Sequence, residues 1–184
     1  MKKNYVGLQR RPFLTPIWLA ALAAAVVLSF ASLLWGRADS TTVIVIRHAE
    51  RAIGTGADPP LSAAGQARAA LLARMFGDTG PGRISAIYVT PPLRNRMTAA
   101  PLAAVLGVTP SIAAGDPREL AHRVLREQPG GRVLIVGHSD TVPQIVAALS
   151  GMDSIPAMRD SQYGTMYIVT VPRLGRANLL RLEY

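Results

Sequence analysis

Two short stretches of the 184-residue chain end a run of aliphatic residues in a histidine followed by an acid. Val43-Ile44-Val45-Ile46 leads into Arg47-His48-Ala49-Glu50, and Val133-Leu134-Ile135-Val136 leads into Gly137-His138-Ser139-Asp140. The chain has three histidines; two share this setting, and the third, His122, falls in the middle of a helical pattern with no such context. Ligands of open parallel sheets bind beyond the carboxyl ends of the strands, so His48 and His138 are expected to converge on one site. Three chemistries use such residues. A metal site could draw on His48, Glu50, His138 and Asp140, but Arg47 and Arg51 flank the first histidine, and fixed cations repel a divalent ion at close range. A serine hydrolase could use Gly137-His138-Ser139-Asp140-Thr141 as a nucleophile elbow. The last glycine of that motif is a threonine here, however, and no histidine follows His138. The third chemistry is attack on phosphorus. A neutral imidazole at His48 takes a phosphoryl group and passes it to water, while arginines and the second imidazole hold the charge on the equatorial oxygens. No metal and no cofactor are needed for it.

The elements that must position these groups are legible as alternating strands and helices. Residues 42–46 and 132–136 read as short strands of the buried type, residues 84–89 read as another strand, and a further short strand is predicted over 108–112. Ser62 caps a helix that runs to about Phe76, with Gly77 as its stop. Pro91-Pro92 precedes a helix from about Leu93 to Leu106, closed by Gly107. Asp116-Pro117-Arg118-Glu119 is a complete helix start, with N-cap, first-turn proline and third-position glutamate. Pro143 opens a helix to about Leu149, and residues 165–171 and 178–183 form two final strands around Pro172-Arg173-Leu174-Gly175-Arg176. This pattern is that of an α/β layer fold.

Arg47-His48-Ala49-Glu50 resembles the R-H-G-E motif of the histidine phosphatase superfamily, the phosphoglycerate-mutase-like fold. Three more stretches are similar to that family in the same order. Pro60-Leu61-Ser62-Ala63-Ala64-Gly65 resembles P-L-T-x-x-G. The run from Tyr88 through Thr90-Pro91 and Arg94 to Thr98-Ala99 resembles Y-S-S-P-x-x-R-A-x-x-T-A, and Val136 to Pro143 resembles V-G-H-S-N-T-V-P. The resemblance spans residues 42 to about 150. It implies that His48 is the phosphorylated nucleophile, that Arg47 and Arg94 bind the phosphoryl group, and that His138 is the second imidazole of the pocket. Arg94 rather than Arg96 takes the family position, four residues before Thr98. Arg51 and Ser139 are expected to extend the substrate-binding site. Ala49, Val89, Thr90 and Asp140 depart from the family pattern. For the general acid that protonates the leaving oxygen, Asp116 is nearest to the family's place, with Glu119 next; some members have no obvious acid.

The remaining features concern location and partners. The formal net charge is +9, and Lys2, Lys3, Arg10 and Arg11 all lie in the first eleven residues. From Phe13 to Trp35 there is no charged residue. The expected organisation is a cytoplasmic basic tail (1–12), a transmembrane anchor or signal segment (13–35), a linker (36–41) and a histidine phosphatase-like domain (42–184). The basic tail keeps the N-terminus inside, which puts the domain on the outer side of the cytoplasmic membrane, the periplasm in a bacterium. The alternative is secretion after cleavage near Gly36-Arg37-Ala38. The absence of cysteine excludes thiolate chemistry and disulfides, and no basic stripe with interleaved aromatics suggests a nucleic-acid partner. The predicted fold is a three-layer α/β/α sandwich with a mostly parallel central sheet, preceded by one N-terminal transmembrane helix. The predicted activity is metal-independent hydrolysis of phosphomonoesters through a phosphohistidine on His48, acting on a phosphorylated small molecule or glycan. A catalytically silent phosphate-binding or scaffold protein of the same fold is the alternative.

Overall fold

The computed structural model describes residues 17–35, 40–54 and 56–184. It divides into two units, Met1–Arg37 and Ala38–Tyr184. The first contributes helix α1 (Ile17–Trp35). Its 19 residues rise about 28 Å, against a hydrocarbon core of ~30 Å. Among the described residues, no helix is long and apolar enough to cross a membrane. The expected transmembrane helix over 13–35 is therefore not found as such. Its first four residues and the basic tail lie outside the described residues, as does most of the linker.

The second unit is built in the order β1 (Thr41–Arg47), α2 (Ala63–Phe76), β2 (Ala86–Val89), α3 (Leu93–Leu106), β3 (Ser111–Ile112), α4 (Pro117–Glu127), β4 (Arg132–Gly137), α5 (Thr141–Ser150), β5 (Thr165–Val171) and β6 (Asn178–Glu183). One sheet holds all six strands in the order β3-β2-β4-β1-β5-β6. The first four are mutually parallel, while β5 runs antiparallel to β1 and β6 antiparallel to β5. The sheet is thus mixed, with the antiparallel pairings confined to its C-terminal side.

Strand alternation divides the core into two. Val43, Val45, Val133, Ile135, Tyr167 and Val169 face α4 and α5, which present Leu120, Ala121, Val124, Val142, Ile145 and Val146. Ile44, Ile46, Leu134, Val136, Ile87 and Met166 face α2 and α3, which present Leu72, Ala99, Leu102, Ala103 and Leu106. Three layers follow directly, because each central strand is apolar on both faces and each face needs helices to exclude water.

The helix starts follow the sequence signals with one shift. Ser62 accepts from the Gly65 N–H at 3.1 Å and caps α2, and Asp116 accepts from the Arg118 N–H at 2.9 Å and caps α4. Helix α5 begins at Thr141 rather than at Pro143, because Asp140 caps it by accepting from the Thr141 N–H. Pro143 then lies in the first turn, where its missing N–H breaks no helical bond. Two strands are shorter than expected: β2 starts at Ala86 and β3 is only Ser111–Ile112.

One glycine joins α2 to the end of β1. The Ser62 N–H donates to the Glu50 carbonyl at 2.8 Å, and this presses the first turn of α2 onto residue 50. A Cβ at Gly65 would overlap the Glu50 carbonyl oxygen and stand 3.0 Å from the Glu50 nitrogen. Gly65→Ala is expected to destabilise the domain by roughly 2 kcal/mol, lowering the thermal midpoint by roughly 4–8 °C. Calorimetry of the variant checks this, and an unshifted midpoint would show that the contact can relax without cost.

Candidate active site

Strands β1 and β4 lie side by side in register, Val43 opposite Val133 through Arg47 opposite Gly137. The His48 N–H continues the ladder to the Gly137 carbonyl at 2.9 Å. The two similar strand endings are therefore spatial neighbours. The imidazoles of His48 and His138 meet edge to face, with ring centroids 5.3 Å apart. They line one open, polar cleft with Arg47, Arg51, Arg94, Ser139, Asp140, Asp160 and Tyr163.

The tautomers follow from the partners. His48 Nδ1 is 2.8 Å from the Ala49 carbonyl, which can only accept, so Nδ1 carries the proton and Nε2 keeps a free lone pair. His48 is 3% exposed, and its pKa falls to about 4, first from burial and then from the nearby guanidinium groups of Arg94 and Arg47. It is a neutral base at physiological pH. His138 Nδ1 faces an N–H of Arg94 at 3.5 Å, and a guanidinium can only donate. The Nε2–H then donates to the Thr90 hydroxyl at 2.9 Å. Burial, then Arg94, lowers the pKa of His138 also.

The guanidinium groups are held from several elements. Arg47, buried at the end of β1, donates to the carbonyls of Arg159 and Asp160 at 3.1 and 2.9 Å and lies 4.3 Å over the Tyr163 ring. Arg94 sits in the first turn of α3 and pairs with Asp58 at 3.8 Å. The Nε atoms of both arginines are buried without a hydrogen-bond partner. A buried and a half-buried cation, each with a spare donor, beside two neutral imidazoles make a site suited to an oxyanion.

Glu50 has no place in this cup. It forms a two-pronged ion pair with Arg68, at 2.7–3.1 Å, which holds its carboxyl below the usual range and ties the motif to α2. Ala49 stands where the family motif has glycine; it is fully buried against Leu61 and Ala69 without a left-handed backbone. Asp140 points its carboxylate at the α5 N-terminus, which answers how an acid is tolerated beside two arginines.

Asp116 is not brought to the cleft. Its carboxylate is committed to capping α4, and with Glu119 and His122 it lines a separate surface pocket. The acids that do line the cleft are Asp140, engaged as a cap, and Asp160, whose side chain is 99% exposed. Sequence reasoning missed several partners. Thr90 follows β2 much as the histidines follow β1 and β4, so its place at the end of that strand was the signal. Asp58 caps α3 from a distant loop, with both carboxylate oxygens 3.0 Å from the Leu93 N–H; the clue was a helix start at Pro92 that cannot cap itself. Thr98 accepts from the Ala49 N–H at 3.0 Å, and buried Asn95 donates to the carbonyls of Val136 and Gly137. Tyr163 and Asp160 precede β5, whose antiparallel direction puts its start at the same edge as the end of β1.

Comparison with known proteins gives a family match over part of the chain and a shared fold. The family model for the histidine phosphatase superfamily (branch 1) matches residues 43–115. The protein histidine phosphatase SixA, solved with tungstate, is 20% identical and superimposes with a TM-score of 0.63 over 77% of this chain and 96% of that one. A phosphohistidine phosphatase SixA described as putative, from Agrobacterium tumefaciens, is also 20% identical, with a TM-score of 0.57 over 78% and 98% of the two chains. A mycobacterial glucosyl-3-phosphoglycerate phosphatase is 14% identical, with a TM-score of 0.56 over 76% and 97%. No curated protein matches the sequence. These likenesses establish the fold, and with the family match they support the histidine phosphatase superfamily.

The lowered pKa of His48 has two consequences with a definite sign. Between pH 6.5 and about 4 the unfolded chain binds a proton at this residue and the folded chain does not. Stability is therefore expected to fall as pH drops through that window, by at most about 3 kcal/mol from this group, and to gain nothing from it above. In a proton–nitrogen correlation titration, the His48 ring should stay neutral to about pH 4; a midpoint near 6.5 would show that burial does not control it.

Proposed function

We propose that this chain is a phosphatase of the histidine phosphatase superfamily, hydrolysing phosphate esters through a phosphohistidine on His48. The observation that carries the reading is a buried, neutral His48 with a free Nε2, set against His138 and between Arg47 and Arg94. In the first step the Nε2 lone pair attacks phosphorus, the P–N bond forms, and the bond to the leaving oxygen breaks. The departing oxygen takes its proton from solvent or from a group of the substrate. In the second step water attacks phosphorus, the P–N bond breaks, and orthophosphate leaves with His48 again neutral. Nδ1 keeps its proton throughout, held by the Ala49 carbonyl. Arg47, Arg94 and the ring N–H of His138, turned from Thr90 to the phosphoryl oxygens, bear the charge that develops on them.

Neither acid expected from the sequence reaches the cleft, which favours leaving groups that need little protonation. Aryl phosphates fit this, and so does the imidazole that leaves a phosphorylated histidine. Two of the fold neighbours are described as putative phosphohistidine phosphatases, and the open mouth of the cleft leaves room for a phosphorylated side chain on another protein. Phosphorylated sugars and glycans outside the cytoplasmic membrane remain within the reading. That location is supported by the four early cations and the uncharged stretch 13–35. An active exported reporter fused at residue 40 supports it, and cytoplasmic reporter activity counts against it. A mature N-terminus at Asp39 would identify a removed signal.

The experiment on activity uses p-nitrophenyl phosphate. Turnover should persist in EDTA, fall at least 10³-fold in His48→Ala, and fall about 10²-fold in Arg94→Ala. Full activity in His48→Ala would reject the nucleophile. Phosphate binding that is lost in Arg94→Ala, without any turnover in the native chain, would identify a silent phosphate-binding protein instead.

A further inference from the structure

At the far end of the sheet from the histidines, the α2/α3 face carries a second cleft of about 420 Å³, between the C-terminus of α2, residues 78–84 and β5. Its floor is apolar: Ile44, Phe76, Ile84 and Ile168. Ile44 and Ile84 are core residues, 3% and 2% exposed, so the floor is set by the fold rather than by loose surface chains. Helix α3 of this face packs on β2 and β4, and α2 packs on α3. Leu180 of β6, opposite Ile168 of β5, is 51% exposed, and Met75 at the end of α2 is 45% exposed.

Two guanidinium groups, Arg83 and Arg132, line the same cleft. Among the described residues neither is in an ion pair. Arg132 lies across the Gly82 turn, which has φ +82°; a Cβ there would stand 3.2 Å from the guanidinium carbon, so the glycine leaves room for the arginine. One carboxylate, Asp78, also lines the cleft, and it accepts from the Gly80 N–H at 2.8 Å. The cleft is thus an apolar slot with a surplus of positive charge. Such a slot matches a molecule with an alkyl chain and an anionic head, which guanidinium groups bind in a two-pronged fashion. Its volume lies in the range of small-molecule sites, roughly 300–1,000 Å³.

We infer that this cleft binds a single-chain anionic amphiphile of the fatty-acid type, with its alkyl chain on Ile44, Phe76 and Ile168 and its head at Arg83 and Arg132. The inference does not rest on the phosphatase reading. Thr42, which lines this cleft, stands six positions before His48 in the chain, roughly 20 Å along a strand.

The test is a titration of the isotopically labelled full chain with dodecanoate below its micellar concentration, read at the methyl groups of Ile44, Ile84 and Ile168. Site-specific signals are needed because the apolar stretch 13–35 can also take up amphiphiles. Saturable shifts at these methyls are expected, with a dissociation constant in the micromolar range. Dodecyltrimethylammonium should bind at least 10-fold more weakly, and Arg83→Glu with Arg132→Glu should weaken dodecanoate at least 10-fold. The single Arg83→Glu variant, on an exposed side chain, should weaken it at least 3-fold and guards against misfolding of the double variant. Several results would overturn the inference: no saturable shift, shifts confined to residues 17–35, equal affinity for the cationic amphiphile, or indifference to charge reversal. A response of these methyls to phosphatidylglycerol vesicles but not to dodecanoate would overturn it as well, since it would make the cleft a bilayer contact.

Discussion

The parallel pairing of β1 with β4 is the constraint on which the rest of the domain depends. Its register sets Arg47 beside Gly137, and the next residue of each strand is a histidine. A slip of one residue would turn every aliphatic side chain of β1 to the wrong layer. The register is therefore locked by two apolar faces at once, and the histidine pair inherits that rigidity. Local contacts reinforce it at the edge. Asn95 holds α3 to the last carbonyls of β4, and Thr98 holds the Ala49 amide. The Thr141 hydroxyl accepts from the His138 N–H. Each bond joins a short side chain of a helix to the backbone at or just past a strand end.

Electrostatics and burial act together at this edge. A guanidinium cannot shed its charge, so burying Arg47 demands acceptors, and the carbonyls of Arg159 and Asp160 supply them with the Tyr163 face beneath. An imidazole can shed its charge, and here it does. Next to two permanent cations, the neutral form of both rings is favoured by desolvation and repulsion alike. The same fields that keep His48 neutral favour an anion in the cleft. The Arg159 and Asp160 carbonyls take up part of the donor capacity of Arg47, while the Nε atoms of Arg47 and Arg94 keep no partner.

How much of this was legible in the sequence depends on the physics of each residue. The alternation of buried strands and capped helices made the three layers readable. Arg47, His48, Arg94, His138, Arg51 and Ser139, picked from motif and strand position, do share one cleft. Asp116 lies away from the cleft because it carries two signals at once, an acid in roughly the right segment and a helix cap, and the cap is what the fold uses. Tyr163 and Asp160 could not be read from local pattern. Their place depends on β5 running antiparallel to β1, a tertiary fact that four residues of flanking sequence do not encode. Asp58 was missed for a similar reason: a cap contributed by another segment leaves only an uncapped helix as its trace.

That borrowed cap has a wider consequence. Helix α3 follows a proline, and its first free amide is held by a carboxylate 35 residues earlier in the chain. The loop that delivers it contains Gly54 and Gly56, both with positive φ and with open space around them. Its middle is thus permissive to lengthening, while its exit at Asp58 is not. A change of length there need not disturb the helix that aims Arg94, because the cap is set at the loop's exit.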